Sequence, residues 1–224
     1  MKYITAPRLE QLEQQVHVWF TVPEEISDPH TLSEYFSLLS EDERERQQRF
    51  HFEKDRHSFL VSHALVRKVL SKYVDVDPCE WQFAAGEYGR PEICSPACVP
   101  RLRFNLTHTE GLTACLVTLD TDCGVDAERI GGQRDLRAVA EKMFACSELE
   151  ILRPLSGRQY QQQFYSFWTL HEAYCKALGT GLGFSNKDYA FKVASDNDIS
   201  ISFDSLGGGE VERELWQFSL LRPA

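Results

Sequence analysis

The sequence lacks the features that mark a membrane-spanning or exported chain. It contains no run of about 18 consecutive apolar residues, the length that a transmembrane helix needs. Its beginning, Met1 to Arg8, has no apolar core of a signal peptide. We therefore expect a chain with no membrane partner that works in the cytoplasm.

An excess of positive charge is also missing. The 224 residues include 24 Lys and Arg against 34 Asp and Glu, a formal net charge of −10. A general nucleic-acid binder normally carries a basic field, so this balance argues against nucleic acid as a partner. Hydrophobic residues at 42% and aromatic residues at 12% are typical of a folded chain. The length is enough for one large domain or two small ones.

The cysteines lack a repeated spacing. There are seven, and only Cys94 and Cys98 lie close together. That pair could be half of a zinc site, but no second close pair of ligands completes it. An odd, scattered set is more typical of free thiols than of a disulfide framework. A Gly-x-Ser-x-Gly sequence is absent as well, so nothing supports a serine hydrolase.

Hydrophobic periodicity predicts an α+β fold. An N-cap at Ser40 predicts a short helix to about residue 50, and the turn at 120–122 predicts a hairpin between strands over 112–119 and 123–128. The other predicted strands are 16–22, 81–83, 102–106, 189–194, 199–203 and one near 215–220 that follows the glycines at 207–209. The other predicted helices are 55–73, 133–144, 147–153 and 160–178.

The order of these elements indicates two lobes. Strand, helices and strands occur once before residue 110 and once after it. We therefore expect an N-terminal lobe over 1–110 and a C-terminal lobe over 111–224. Each should be a small, mainly antiparallel sheet packed against helices.

Two segments, 124–128 and 168–176, hold the residues that point to chemistry. Asp126 and Glu128 are two apart on a predicted strand, so their carboxylates leave the same face. Trp168, Glu172 and Lys176 step by four along a predicted helix. If the two segments meet, like charges about 4 Å apart would cost roughly 4 kcal/mol per pair, which separation, protons or a cation must relieve. Hard oxygen ligands favour Mg²⁺. The competing interpretation is a solvated turn and a surface salt bridge.

These segments resemble motifs of the 4′-phosphopantetheinyl transferases. Residues 124–128 are similar to the family's Gly-(Ile/Val)-Asp-x-Glu, and residues 168–177 to its Trp-x-x-Lys-Glu-Ala-x-x-Lys. Gly89-Arg90-Pro91 and residues 104–109 resemble its Gly-Lys-Pro and Phe-Asn-(Ile/Leu)-Ser-His blocks. Residues 49–55 and 65–67 resemble the N-terminal lobe of the two-lobed, Sfp-like type, which implies two lobes related by a pseudo-twofold axis.

The resemblance implies an activity and a set of site residues. The chain would transfer the 4′-phosphopantetheine group of coenzyme A to a serine of an apo acyl or peptidyl carrier protein, releasing 3′,5′-ADP. The implied Mg²⁺ ligands are Asp126, Glu128 and Glu172. The implied contacts to coenzyme A are Lys176, His108 and Thr107 at the pyrophosphate and Arg46 and Arg90 near the 3′-phosphate. Lys176, His108 and Glu172 would be catalytic, with Glu172 taking the serine proton either directly or through a metal-bound water. Two lobes in one chain favour a monomer.

Three positions depart from the family pattern. His171 stands where Lys is usual, so a phosphate or carrier contact is either lost or present only when His171 is protonated. Arg90 replaces Lys, and Thr107 replaces Ser. A non-catalytic module that binds carrier proteins or coenzyme A, and a Mg²⁺-dependent nucleotide hydrolase, therefore stay open as alternatives.

Histidines and local charge complete the sequence evidence. His51, His57 and His63 step by six and cannot share a helix face, so we expect no metal site there. Residues 44–72 carry a net charge of +5, which suits a phosphorylated ligand and an acidic carrier protein.

Overall fold

The computed structural model describes residues 9–86, 89–97, 101–131, 135–180, 188–203 and 215–223. Contacts divide the chain into two compact units. The first comprises Met1–Glu128 and Lys176–Gly181, and the second comprises Arg129–Cys175 and Leu182–Ala224. Each unit combines helices with an antiparallel sheet, which confirms the predicted α+β fold.

The first unit contains three helices and five strands among its described residues. They are β1 (His17–Thr21), α1 (Pro29–Leu38), α2 (Glu41–Arg49), α3 (Glu53–Leu70), β2 (Gln82–Ala85), β3 (Pro91–Ser95), β4 (Leu102–Thr109) and β5 (Leu112–Leu119). Short 3-10 helices lie at Leu9–Glu13, Pro23–Glu25 and Pro78–Glu80. Helix α1 and strand β3 were not predicted from the sequence, and the other helices and strands lie within a few residues of their predicted bounds.

Strand β5 lies at the centre of the main sheet. The order is β1-β5-β4, and Val117 of β5 is paired with His17 on one side and Phe104 on the other. Helix α3 packs on β4 and β5, with Val66, Leu70 and Val117 in the shared core. The predicted hairpin between 112–119 and 123–128 is therefore wrong. Both edges of β5 are already paired, so residues 123–128 have no free edge to join and form no strand.

The first sheet also bears on the expected lobe boundary. Strands β4 and β5 form a hairpin whose turn contains Gly111 at φ +83°, a left-handed conformation that glycine adopts without strain. The expected boundary between residues 110 and 111 falls inside that turn, whereas the compact units divide between Glu128 and Arg129. Backbone pairing keeps β5 with the first unit.

The second unit packs three helices against a two-stranded sheet in its described part. The elements are α4 (Leu136–Met143), α5 (Cys146–Leu152), α6 (Gly157–Leu178), β6 (Tyr189–Ser195) and β7 (Asp198–Phe203). The last residues of α6, from Lys176 onward, belong to the first unit. Strands β6 and β7 are antiparallel. The core is strongly aromatic, with buried Phe144, Phe164, Phe167, Tyr174 and Phe191.

The segment after β7 differs from its prediction. Residues 215–223 form no strand, although Trp216 and Phe218 pack against the core of the second unit. The Leu220 N–H donates to the Asp196 carbonyl oxygen over 2.8 Å, so side-chain packing and one backbone bond replace the expected ladder. The glycines at 207–209 lie outside the described residues.

Two further observations concern the helices and the cysteines. None of the helices in the described ranges is long and apolar enough to cross a membrane. The cysteines with free thiols are Cys79, Cys94, Cys115, Cys123, Cys146 and Cys175. Cys94 lies in β3, and Cys98 lies outside the described residues.

Candidate functional site

Three residues predicted for the site meet in the first unit. The Lys176 ammonium donates to Asp126 Oδ1 over 2.7 Å, to the Val125 carbonyl oxygen over 3.1 Å and to Thr107 Oγ1 over 3.3 Å. The Thr107 hydroxyl in turn donates to Asp126 Oδ1 over 3.2 Å. The cluster thus joins a cation, a carboxylate and a hydroxyl that lie about 20 or more residues apart along the chain.

Side chains of β4 hold the segment that carries Asp126. Asn105 and Thr107 are two apart on the strand and therefore share a face. Asn105 Oδ1 accepts from the Val125 N–H over 2.9 Å, and Thr107 Oγ1 accepts from the Ala127 N–H over 3.2 Å. These two bonds replace the strand pairing predicted for residues 123–128. Asn105 had no predicted role, although an amide between Phe104 and Leu106 on a predicted strand was the available signal; in the structure this amide is buried and hydrogen-bonded.

One oxygen of Asp126 has no hydrogen-bond partner among the described residues. The side chain is only 9% exposed, and its Oδ2 is buried without a bond to any of them, while Oδ1 binds Lys176. A buried carboxylate oxygen without a donor is costly unless a cation or a ligand satisfies it. A carboxylate oxygen is a ligand that Mg²⁺ prefers, so Asp126 Oδ2 fits a Mg²⁺ ion.

The other two predicted metal ligands do not join Asp126 in a formed cluster. Glu128 is exposed, and Glu172 is half-buried on α6 in the second unit. Across the described residues there is no group of three or more His, Cys, Asp or Glu side chains arranged to hold a metal ion. Ligation by this set stays a prediction.

His108 lies at the end of β4 with part of its ring open to solvent. Desolvation by the surrounding protein lowers the pKa of the imidazole, and the positive charge of Lys176 lowers it further. His108 is therefore neutral at neutral pH and offers one N–H donor, whereas Lys176 supplies the positive charge.

The two predicted arginines have different surroundings. Arg90 donates to the Ala177 carbonyl oxygen and to Glu92 Oε1, both over 2.8 Å, so it reaches the residue that follows Lys176. Arg46 is exposed on α2, with its guanidinium 5.8 Å from the centre of the Phe59 ring. Arg90 is already engaged by protein atoms, whereas Arg46 is open to solvent.

His171 does not face solvent. It is buried, its Nε2 lies 2.9 Å from Glu148 Oε1, and Phe144, Tyr189 and Phe191 surround its ring. Of the two expectations for this position, the structure supports the loss of a phosphate or carrier contact. It does not support a contact that appears on protonation. Glu148 was not predicted as a partner of His171, because the two residues are 23 positions apart in the sequence.

Comparisons with known proteins point to one family. A family model described as the 4′-phosphopantetheinyl transferase superfamily matches residues 122–220, and one described as 4′-phosphopantetheinyl transferase, N-terminal, matches residues 27–119. The chain is 33% identical to 4′-phosphopantetheinyl transferase HetI of a Nostoc species over 177 residues, which is 79% of this chain and 73% of that protein. It is 27% identical to 4′-phosphopantetheinyl transferase Sfp of Bacillus subtilis over 167 residues, 75% of this chain and 72% of that one. With 4′-phosphopantetheinyl transferase pptA of Paxillus involutus it shares 29% identity over 220 residues, 91% of this chain and 80% of that one.

Proposed function

Because this chain belongs to the 4′-phosphopantetheinyl transferase superfamily and is a transferase, we propose that it modifies an apo acyl or peptidyl carrier protein. It would take the 4′-phosphopantetheine group from coenzyme A, place it on a carrier serine and release 3′,5′-ADP. The observation that carries this proposal is the cluster of Lys176, Asp126 and Thr107, whose residues belong to the motifs that resemble those of the family.

Residues of the cluster can bind the pyrophosphate of coenzyme A. Lys176 and the N–H of His108 are donors suited to phosphate oxygens, and Thr107 holds Lys176 at hydrogen-bond distance. Asp126 Oδ2, with Glu128 and Glu172, would hold Mg²⁺, which when bound offsets negative charge on the phosphates. The existing bond between Lys176 and Asp126 keeps the ammonium oriented before the cosubstrate enters.

The transfer itself requires a base and charge stabilisation. The serine oxygen attacks the β-phosphorus of coenzyme A, its proton passes to the Glu172 carboxylate, and the bond from that phosphorus to the oxygen of 3′,5′-ADP breaks. Negative charge grows on the leaving oxygens in this step, and the ammonium of Lys176 stabilises it. The roles of Glu172 and Lys176 follow from their motif and stay part of the proposal.

Replacing Asp126 tests the site. We expect Asp126→Asn to reduce transfer by about 100-fold or more, because it removes the charge that orients Lys176 and the oxygen available to Mg²⁺. The measurement is the mass increase of apo carriers from fatty-acid, polyketide and peptide synthesis, incubated with coenzyme A and Mg²⁺. Asp75→Asn, at an exposed position of the same unit, is the matched control and should retain full activity.

Four results would contradict parts of the proposal. No mass shift with any carrier in the panel would overturn the transfer reaction. Binding of coenzyme A by calorimetry without transfer would instead support the non-catalytic module, and release of 3′,5′-ADP without a carrier would support a hydrolase. Full activity of the folded Asp126→Asn variant would remove this residue from the site. The cytoplasmic location and the monomeric state stay predictions.

A further inference from the structure

Three side chains on one face of α3 meet helix α2. Phe59, His63 and Arg67 recur every four residues, so they are stacked along the same side of the helix. Glu43 of α2 binds both His63 and Arg67, and Arg46 of α2 lies over the Phe59 ring. This α2–α3 cluster belongs to the first unit, as does the Lys176–Asp126 site.

Glu43 is fixed in place and stays ionised. Its Oε2 accepts the Ser40 N–H over 2.9 Å and also binds the buried Arg67 guanidinium, which donates to the Trp81 carbonyl oxygen over 2.7 Å. Burial by itself would raise the pKa of Glu43. Other contributions outweigh burial and lower the pKa of Glu43 to about 2. They are the hydrogen bond with His63, the charge of His63, the hydrogen bond from the Ser40 N–H and the charge of Arg67.

The ionised carboxylate of Glu43 determines which nitrogen of the His63 ring is engaged in a hydrogen bond. An ionised carboxylate only accepts hydrogen bonds, so His63 Nδ1, 2.9 Å from Glu43 Oε1, carries a proton and donates it. Within the part of the chain that the structure describes, His63 Nε2 has no hydrogen-bond partner, and the side chain is 24% exposed. One nitrogen is anchored, and the other is available to a ligand.

Neighbours of His63 link it to both groups of predicted phosphate contacts. Its ring stacks on Phe59 with centroids 3.9 Å apart, and the same Phe59 ring lies under Arg46. On the other side, the positive charge of His63 is one of the influences that lower the pKa of His108, after desolvation and Lys176. His63 therefore lies within electrostatic range of the pyrophosphate donors and next to the arginine assigned to the 3′-phosphate.

We infer that His63 is a further coenzyme A-binding residue, whose Nε2–H donates to the adenosine 3′-phosphate beside Arg46. This inference rests on the proposed function. A phosphate dianion near Nε2 favours the doubly protonated imidazole, and Glu43 on the opposite nitrogen stabilises that cation. The side chain needs little reorganisation to bind, because Glu43 and Phe59 already fix its ring.

Calorimetric titration of the full chain with coenzyme A and with dephospho-coenzyme A tests this role. His63→Gln keeps a side chain that can donate to Glu43 but removes the positive charge. We expect it to weaken coenzyme A binding by about tenfold and to leave dephospho-coenzyme A binding unchanged, because only the first ligand carries the 3′-phosphate. His63→Lys, which keeps the charge, should restore most of the lost affinity.

His30→Gln is the matched control, since His30 is exposed on α1 of the same unit and the same chemical change is made. It should bind both ligands like the wild type. The inference is overturned if His63→Gln binds coenzyme A as tightly as the wild type, or if it weakens both ligands equally, as a purely structural role would. Failure of His63→Lys to restore binding also counts against it. If the wild type binds neither ligand, the proposed function itself fails.

Discussion

The two units contain the same local arrangement in two different environments. In each, a glutamate at the third residue of a short helix binds a histidine of the unit's longest helix, Glu43 with His63 and Glu148 with His171. Each glutamate also accepts the backbone N–H three residues before it, over 2.9 Å at Ser40 and 3.1 Å at Ala145. Exposure separates them. The side chains are 24% and 15% exposed for His63 and Glu43, but 2% and 0% for His171 and Glu148.

The buried pair connects secondary-structure elements of the second unit. Glu148 Oε1 accepts the Phe191 N–H over 2.9 Å as well as the His171 proton, so one carboxylate connects α5, α6 and β6. Aromatic rings cover the rest of His171. The more exposed pair, Glu43 and His63, is called the open pair. Arg67 is an additional partner of its glutamate, and one nitrogen of its histidine is accessible. The comparison teaches that burial, rather than the pairing itself, decides whether such a histidine stabilises the fold or can serve a ligand.

Removing the buried carboxylate should have the largest effect on stability. We expect Glu148→Ala to lower the free energy of unfolding by about 3–5 kcal/mol, because His171 and two backbone N–H groups lose their buried acceptor. Urea denaturation measures the change. Glu150→Ala, at an exposed position of the same helix, should stay within about 0.5 kcal/mol of the wild type. A loss below about 1 kcal/mol for Glu148→Ala would contradict the cross-linking role.

The open pair should show itself in the pH dependence of stability. The pKa of Glu43 is about 2 in the folded chain, against 4.5 for the ordinary group. A lowered folded-state pKa contributes stability above pH 4.5 that is lost as the pH falls towards 2. We expect the wild type to exceed Glu43→Gln by about 3 kcal/mol at neutral pH and to lose roughly 2 kcal/mol of that difference by pH 3.

Denaturation curves of both proteins across this pH range are the measurement for Glu43. Glu45→Gln, at an exposed position of the same helix, should follow the wild type at every pH. A difference between the wild type and Glu43→Gln that does not change with pH would show that the carboxylate charge is not what the pair uses.

Local sequence signals predicted the elements that depend on local interactions. Ser40 followed by acidic residues predicted the start of α2, and the capping box is present. The mostly apolar run over 112–119 predicted β5 with the bounds that the structure has. The hairpin after β5 could not be judged in this way, because one edge of β5 is occupied by the preceding strand β4 and the other by β1, which lies far earlier in the chain.

The site also divides into residues that local motifs identified and residues that only long-range contacts bring together. Its motifs identified Thr107, Asp126 and Lys176, which the structure brings together. The α2–α3 cluster was missed because Glu43 and His63 are 20 residues apart, and Glu43 resembled an ordinary first-turn acid. His63 was considered only as a metal ligand, and its spacing from the other histidines excluded that role without suggesting another. A contact between two helices leaves no periodic signal in a single sequence.

The smallest expected effect concerns the caps that precede the two glutamates. Ser40 Oγ accepts the Glu43 N–H over 3.3 Å, whereas alanine occupies the equivalent position before Glu148 and offers no such acceptor. Ser40→Ala therefore gives the first helix the cap of the second. We expect a loss of about 1 kcal/mol in urea denaturation, with coenzyme A affinity unchanged. Ser37→Ala, on the exposed surface of α1, should cost less than about 0.5 kcal/mol. If Ser40→Ala and Ser37→Ala lose the same free energy of unfolding, the Ser40 side chain does not stabilise the start of α2. The hydrogen bonds of Glu43 alone would then hold it, as those of Glu148 hold the start of α5.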